Sequence, residues 1–252
     1  MPLINNLEYS FLEIEKWRGN MLFILSLIGT VSFVLLFRKA IKKYAVPFYL
    51  VATAITVFFL VYRLSGNIQI PDVINKYVMK PLSQGTISTA LFSIVMWIGA
   101  LNRKNPVVKK LFSIRGEMSI IACILTLSHN IYFGIIFFPM LFTSPGSMST
   151  THFIAVCITL VLIALMIPLM VTSFITIRKK MKFASWKKLQ RLAYVFYMLI
   201  YVHVMLMFVP KISMDSSYIL NIAVYSVVFL GYAICRVIKA VSVKNGDLVK
   251  AV

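Results

Sequence analysis

The sequence predicts an all-α polytopic membrane helix bundle of about seven transmembrane helices. Sixty per cent of the residues are hydrophobic and the mean hydropathy is +0.90. Apolar runs of about 20 residues, the length that crosses a bilayer, recur along the chain. A water-soluble core of 252 residues cannot hide that much apolar surface.

Windows of spanning length fall at 21–37, 46–64, 86–101, 117–142, 152–177, 190–210 and 217–239, the third being the shortest. Ahead of the first, NNLEYSFLEIEKW is acidic where a cleaved signal peptide is basic, so span one is expected to stay. Leu7, Phe11, Ile14 and Trp17 fall near one helical face and predict a short helix on the outer interface. Cys123, Cys157 and Cys235 sit inside spans without any CxxC, which suits packing residues rather than a disulfide or thiol redox motif. Residues 240–252 are expected to form a cytoplasmic tail.

A formal net charge of +19 raises the question of nucleic acid, but the basic residues come in bursts between spans. Twenty of the 26 Lys and Arg follow spans one, three, five and seven. Only six lie in the N-terminus and the other connections. That asymmetry places the N-terminus outside and the C-terminus in the cytoplasm, and accounts for the charge without nucleic acid. RKKMKFASWKKLQR at 178–191 is also expected to lie against anionic lipid heads.

Three histidines remain. His129 lies on span four, His203 on span six and His152 at the outer start of span five. Spans four and six both enter from the cytoplasmic side. His129 is 14 residues beyond Arg115, roughly 21 Å, and His203 is 13 beyond Gln190, roughly 20 Å. The two rings therefore share a level in the outer half of the membrane. Two imidazoles so placed can clamp a heme iron from both sides, which favours one-electron transfer over oxygen binding. Ala122, Tyr132, Phe133, Phe196 and Leu199 are expected around such a group. The competing reading gives each histidine a hydrogen bond to a facing carbonyl. His152 reads first as an interfacial residue.

Other classes fit less well. No span has a central carboxylate, as a coupled transporter would need; Asp72 and Asp215 fall in outer loops and Glu117 at the cytoplasmic end of span four. Lys239 is at the cytoplasmic end of the last span, where it cannot serve a retinal Schiff base, and HExxH is absent. A heme-free transporter or scaffold remains the alternative class.

IRGEMSIIACILTLSH at 114–129, IALMIPLMVTSF ending at Phe174, and the basic loop leading into WKKLQRLAYVFYMLIYVHV resemble a known family. It is the heme-binding membrane subunit of the bacterial periplasmic methionine sulfoxide reductase system, the MsrQ/YedZ family of the ferric reductase-like transmembrane superfamily. The resemblance covers 46–239, implying a six-helix ferric reductase-like core, with 1–45 contributing an outer segment and an extra helix. It implies that His129 and His203 are the metal ligands of one heme b on the outer side. The family commonly has a second histidine where this chain has Gln190 and a second arginine where it has Gly116. Two-heme relatives place inner histidines at the levels of Arg115 and Gln190. An amide is a poor iron ligand and an arginine is none, so one heme is expected.

By the same resemblance, Arg115, Gln190 and Arg191 would meet a flavin (FMN or FAD) or a quinone at the inner level. Positive-inside topology also explains the arginines. The chain has no Gly-rich dinucleotide fingerprint, so electrons would come from a cytoplasmic flavin reductase or from quinol. They would leave to an extracytoplasmic acceptor or partner reductase, by analogy a molybdenum-containing sulfoxide reductase. The expected location is multi-pass in a bacterial cytoplasmic membrane. The topology is tested with Cys123, Cys157 and Cys235 replaced by Ala. A Ser147→Cys variant should then react with a membrane-impermeant maleimide in intact cells, and a Lys180→Cys variant only after lysis; the opposite pattern would invert the orientation.

Overall fold

Inside hydrocarbon a backbone N–H or C=O has no water to bond, so long apolar segments must satisfy their own backbone as helices or close into barrels. Here they are helices, and no strand occurs among the described residues. The computed structural model describes residues 22–66, 68–102 and 104–250. The predicted interfacial helix through Leu7, Phe11, Ile14 and Trp17 lies outside the described residues.

In chain order the helices are α1 (Leu22–Lys43), α2 (Ala45–Ser65), α3 (Asp72–Ser83), α4 (Thr86–Ala100), α5 (Pro106–Phe112), α6 (Arg115–Thr143), α7 (Thr150–Val171), α8 (Phe183–Gln190), α9 (Leu192–Phe208) and α10 (Ser217–Lys250). Six segments are long and apolar enough to cross a membrane, or seven if the bent pair α3–α4 is one span. The protein is a multi-pass membrane bundle.

Each predicted window holds a helix, but several boundaries differ from expectation. The third window is the single helix α4, but the outer connection before it is helical too, α3 meeting α4 at 60°. At 15 residues, α4 rises roughly 22 Å, less than the ~30 Å hydrocarbon core. Protein covers what lipid would otherwise face: Ala90, Leu91, Phe92, Val95, Met96 and Ile98 are all buried. Irregular backbone is tolerated at membrane depth only under such cover. Gly85 makes the break, with a φ of 66° that only glycine adopts freely.

The fifth window ends early, at Val171. The Thr172 hydroxyl turns back onto the Pro168 carbonyl (2.7 Å) and the Ser173 hydroxyl onto that of Leu169 (2.8 Å), closing the helix end with side chains. The sixth window begins earlier than expected, because α8 leads into α9 through Arg191, and Phe183–Ser213 is one helical stretch. The last helix continues into the expected tail as far as Lys250.

Packing places α4 in the middle. It lies against α1, α6 and α10; α2 packs on α6, and α7 on α9. The α4–α10 seam is fixed by the Trp97 indole N–H donating to the Val228 carbonyl (3.1 Å). Lys239 adds a second tie, its ammonium donating to the carbonyls of Gly99, Ala100 and Leu101 at 3.2, 3.0 and 3.0 Å. Those groups end α4 and have no intrahelical partners, so a cation there is favourable on both hydrogen-bond and dipole grounds. Between α4 and α9 the buried Tyr197 hydroxyl donates to Ser93 Oγ (2.9 Å), while its ring stacks on Phe229 of α10 at 4.1 Å. Tyr197→Phe should therefore destabilise the bundle by roughly 1 kcal/mol, the usual range for an interhelical hydrogen bond in a membrane protein. Thermal unfolding in detergent measures this.

Candidate functional site

The break between α3 and α4 releases backbone groups that a continuous helix would pair. The Leu82 carbonyl accepts the Gly85 N–H at 3.1 Å. The next carbonyl, Ser83, turns to α6 and accepts Nδ1 of His129 at 2.7 Å. A carbonyl only accepts, so the hydrogen sits on Nδ1 and the lone pair on Nε2.

His203 on α9 is held in the same manner. Its Nδ1 lies 3.3 Å from the Ala155 carbonyl and 3.4 Å from Thr159 Oγ1, both on α7. The Thr159 hydroxyl gives its hydrogen to that same carbonyl (2.9 Å), leaving it only an acceptor toward the ring. Nδ1 of His203 is again the donor and Nε2 again carries the lone pair. Among the described residues neither Nε2 has a hydrogen-bond partner.

The two ring centroids are 6.3 Å apart with planes at 86°. The depths counted from Arg115 and Gln190 thus belong to rings that are close neighbours. Both face a cavity of about 240 Å³ between α4, α6, α7 and α9. Phe133 and Phe196 line it as expected; Ala122, Tyr132 and Leu199 do not. Ala122 lies deeper on α6, fully buried among helices. Tyr132 turns to α2, edge-on to Phe59 at 6.0 Å and beneath the Arg63 guanidinium at 5.7 Å. The face of α6 that meets the cavity runs through Thr126, His129, Phe133 and Phe137. Sequence reasoning missed Ser83, Gly85, Ala155 and Thr159. The first two had a signal in LSQGT, a polar, Gly-containing interruption beside a short apolar window.

His152 lines the same cavity, its ring stacked on Phe137 at 6.0 Å and 16°. It does not join the pair as a ligand: among the described residues no group of three or more His, Cys, Asp or Glu is placed to hold a metal.

A second cavity, of about 1460 Å³, opens at the opposite, basic end of the bundle. Arg115, Gln190 and Arg191 all line it, with Arg178, Lys187 and Arg236 beside them; Glu117 is the sole acid among the described residues of that lining. Gln190 donates from its amide to Thr172 Oγ1 (3.0 Å), and Trp186 from its indole to the Thr172 carbonyl (3.0 Å), which ties α8 to the end of α7. Gly116 is the point where α6 crosses the end of α7: a Cβ there would lie 3.2 Å from the Ser173 carbonyl, so the arginine the resemblance expects would need that backbone to give by a few tenths of an ångström. Phe92, Met166 and Phe196 line both cavities. Phe92 and Phe196 meet edge-to-face at 5.0 Å, so one layer of side chains separates the histidine pair from the basic cavity.

No protein-family model matches the chain, and no solved structure matches it. It is 37% identical over 227 residues to an uncharacterized protein of Treponema pallidum (strain Nichols). The match takes in 88% of this chain and 61% of that protein, so the chain spans less than two thirds of the relative's length.

Gly85 connects the backbone to the site. A Cβ there would stand 3.4 Å from Cγ of His129, in a left-handed conformation that costs an L residue about 1–2 kcal/mol. Gly85→Ala should lower stability by about that amount in thermal unfolding. Gly29→Ala on α1, where a Cβ meets nothing within 4 Å, should be neutral or slightly stabilising.

Proposed function

We propose that this protein is a membrane b-type cytochrome in which His129 and His203 hold one heme. The observation that carries the reading is a pair of neighbouring imidazoles, each with Nδ1 committed to a backbone carbonyl and Nε2 unbonded in one cavity. Ligating histidines are oriented in this way, the outer hydrogen bond fixing the tautomer and ring direction. The hydrogen bonds that the competing reading assigns to these histidines use only one nitrogen of each ring.

The spacing suits a shared iron. The ring centroids are 6.3 Å apart, close enough for both imidazoles to reach one metal ion. Two protein ligands are too few for a bare ion such as tetrahedral zinc, whereas a porphyrin brings four nitrogens of its own. The cavity of about 240 Å³ is smaller than the ~300–1,000 Å³ common for ligand pockets, so the flanking aromatic side chains must swing aside to seat a macrocycle. Among the described residues no carboxylate lines the histidine cavity, as a proton- or ion-coupled carrier would require.

A heme held by both histidines would supply one-electron transfer. The residues of the chain set its conditions. His129 and His203 fix the group; Phe133, Phe196 and Met166 keep water from it. Arg115, Gln190 and Arg191, with Arg178 and Arg236, form a cationic cavity large enough for a flavin (FMN or FAD) or a quinone headgroup. Only the Phe92–Met166–Phe196 layer separates that cavity from the histidine level. In this proposal the donor is a cytoplasmic flavin reductase or quinol, and the acceptor an extracytoplasmic molecule or partner reductase. The protein sits in the bacterial cytoplasmic membrane. The motifs that resemble the MsrQ/YedZ family support the same assignment.

The purified protein should show a low-spin Soret band and close to one heme per polypeptide. His129→Ala and His203→Ala should each lose essentially all of it. Absorbance, with heme and flavin assayed per chain, checks this; full heme in both variants would refute the proposal, and a colourless parent would favour a transporter or scaffold.

A further inference from the structure

Helices α1 and α2 are joined through Tyr44 alone, yet α1 packs mainly on α4 and α2 on α6, so the two diverge from their joint. Between them lies a third cavity, of about 520 Å³. Its α1 wall runs through Gly29 and Phe33, its α2 wall through Phe48 and Ala52, and its floor is Leu91 of α4 and Ile121 of α6. The rim residues Leu25 and Val51 are 50% and 58% exposed, so the cleft opens sideways into the bilayer. We infer that this groove holds one acyl chain of a membrane phospholipid, whose phosphate is met by Lys76 at the groove's mouth.

The walls call for hydrocarbon. The hydroxyls on the α1 wall are already bonded: Ser26 Oγ lies 2.9 Å from Thr86 Oγ1, and the Thr30 hydroxyl donates to the Ser26 carbonyl at 2.7 Å. A polar guest would lose water and gain little from them. At the end nearest Tyr44, Phe33 meets Phe48 edge-on at 6.1 Å and closes the groove. Leu22 and Phe33, which both line it, are 11 residues apart on α1, roughly 16 Å. A helix about 10–12 Å across would need roughly three times the cavity's volume over that length. A partner helix is therefore too thick, and a single flexible chain fits.

The mouth supplies the charge. Tyr77 of α3 lines the groove and is half-exposed, and the Lys76 ammonium stands 5.2 Å over its ring. Helix α3 adjoins the Thr86 end of α4, whereas the basic cavity takes in Gly99 and Ala100 at the other end. Lys76 thus stands at the headgroup level of the opposite membrane face, where amphipathic Tyr and Lys side chains anchor a protein. Lysine binds phosphate as a point charge. One phospholipid satisfies both parts of the site, its chain in the cleft and its phosphate at the rim, and does so whether or not heme is bound elsewhere.

The test titrates the full chain, in a nonionic maltoside detergent, with phosphatidylglycerol carrying a diazirine on one acyl chain. After irradiation, labelled residues are mapped by mass spectrometry. Leu91 and Ile121 are only 3% and 6% exposed, so insertion there reports a chain inside the groove. Gly29→Phe fills the groove from its wall, where a Cβ meets nothing within 4 Å. It should cut that insertion at least tenfold and leave thermal unfolding unchanged. Val51→Trp, on the exposed rim of the facing wall, should act in the same direction. Lys76→Gln should raise the lipid concentration for half-maximal labelling about fivefold, as expected for one lysine at a membrane surface. A diazirine diacylglycerol, which lacks phosphate, should label parent and Lys76→Gln alike. Labelling confined to the exposed faces of α1 and α2, or unchanged in both groove-filling variants, overturns the inference. So do cross-links from a benzophenone on Gly29→Cys to residues 1–21 or to a second copy of the chain, which would give the groove to that occupant. Indifference of phosphatidylglycerol labelling to Lys76→Gln overturns the phosphate contact.

Discussion

A backbone carbonyl within a bilayer has to be bonded, and at Ser83 that requirement is met by His129. Everything else in the histidine cavity depends on this contact. The bend between α3 and α4 would otherwise leave an acceptor unpaired at membrane depth, at a cost of several kcal/mol. Bonding it to Nδ1 satisfies the backbone and at the same time decides which nitrogen of His129 keeps its lone pair. The helix break and the oriented imidazole are thus one structural solution. The α7 side repeats it in a milder form, because Ala155 sits within an unbroken helix and its carbonyl receives the imidazole and the Thr159 hydroxyl in addition to the backbone.

The two cavities differ in every property that governs what they can hold. The basic one is wide and bordered by arginines and lysines. The histidine cavity is narrow and mostly apolar, and its polar groups are gathered at one end. Between them stands only the layer of Phe92, Met166 and Phe196. Helices α4, α7 and α9 each give one residue to that layer, so relative movement of any of the three alters both compartments.

Much of this was legible in the sequence. Hydropathy gave seven helical segments, and counting residues from Arg115 and Gln190 put two histidines at a common level, because an α-helix rises by a fixed amount per residue. Arg115, Gln190 and Arg191 line one cavity, since all three lie near the starts of α6 and α9 at the same end. The unread features depend on neighbours rather than on periodicity. Nothing in a one-dimensional pattern says that α4 is buried on most sides, and so able to be short and preceded by a sharp bend. Ala122 was misassigned because a residue seven positions away shares a helical face but lies about two turns deeper, beyond the cavity's reach. Tyr132 was misassigned because its face of α6 is taken by α2. Gly116, which departs from the family pattern, gained its reason only when the Ser173 carbonyl was found against it.

The ammonium of Lys239 spans three successive carbonyls at the end of α4. One side chain thereby acts as a depth stop for the final helix: sliding α10 by a single turn, about 5.4 Å, would release all three bonds together and drag Trp97 away from Val228. The wall that α10 contributes to the basic compartment is therefore held in a single vertical setting, and anything lodged there meets a rigid boundary on that side.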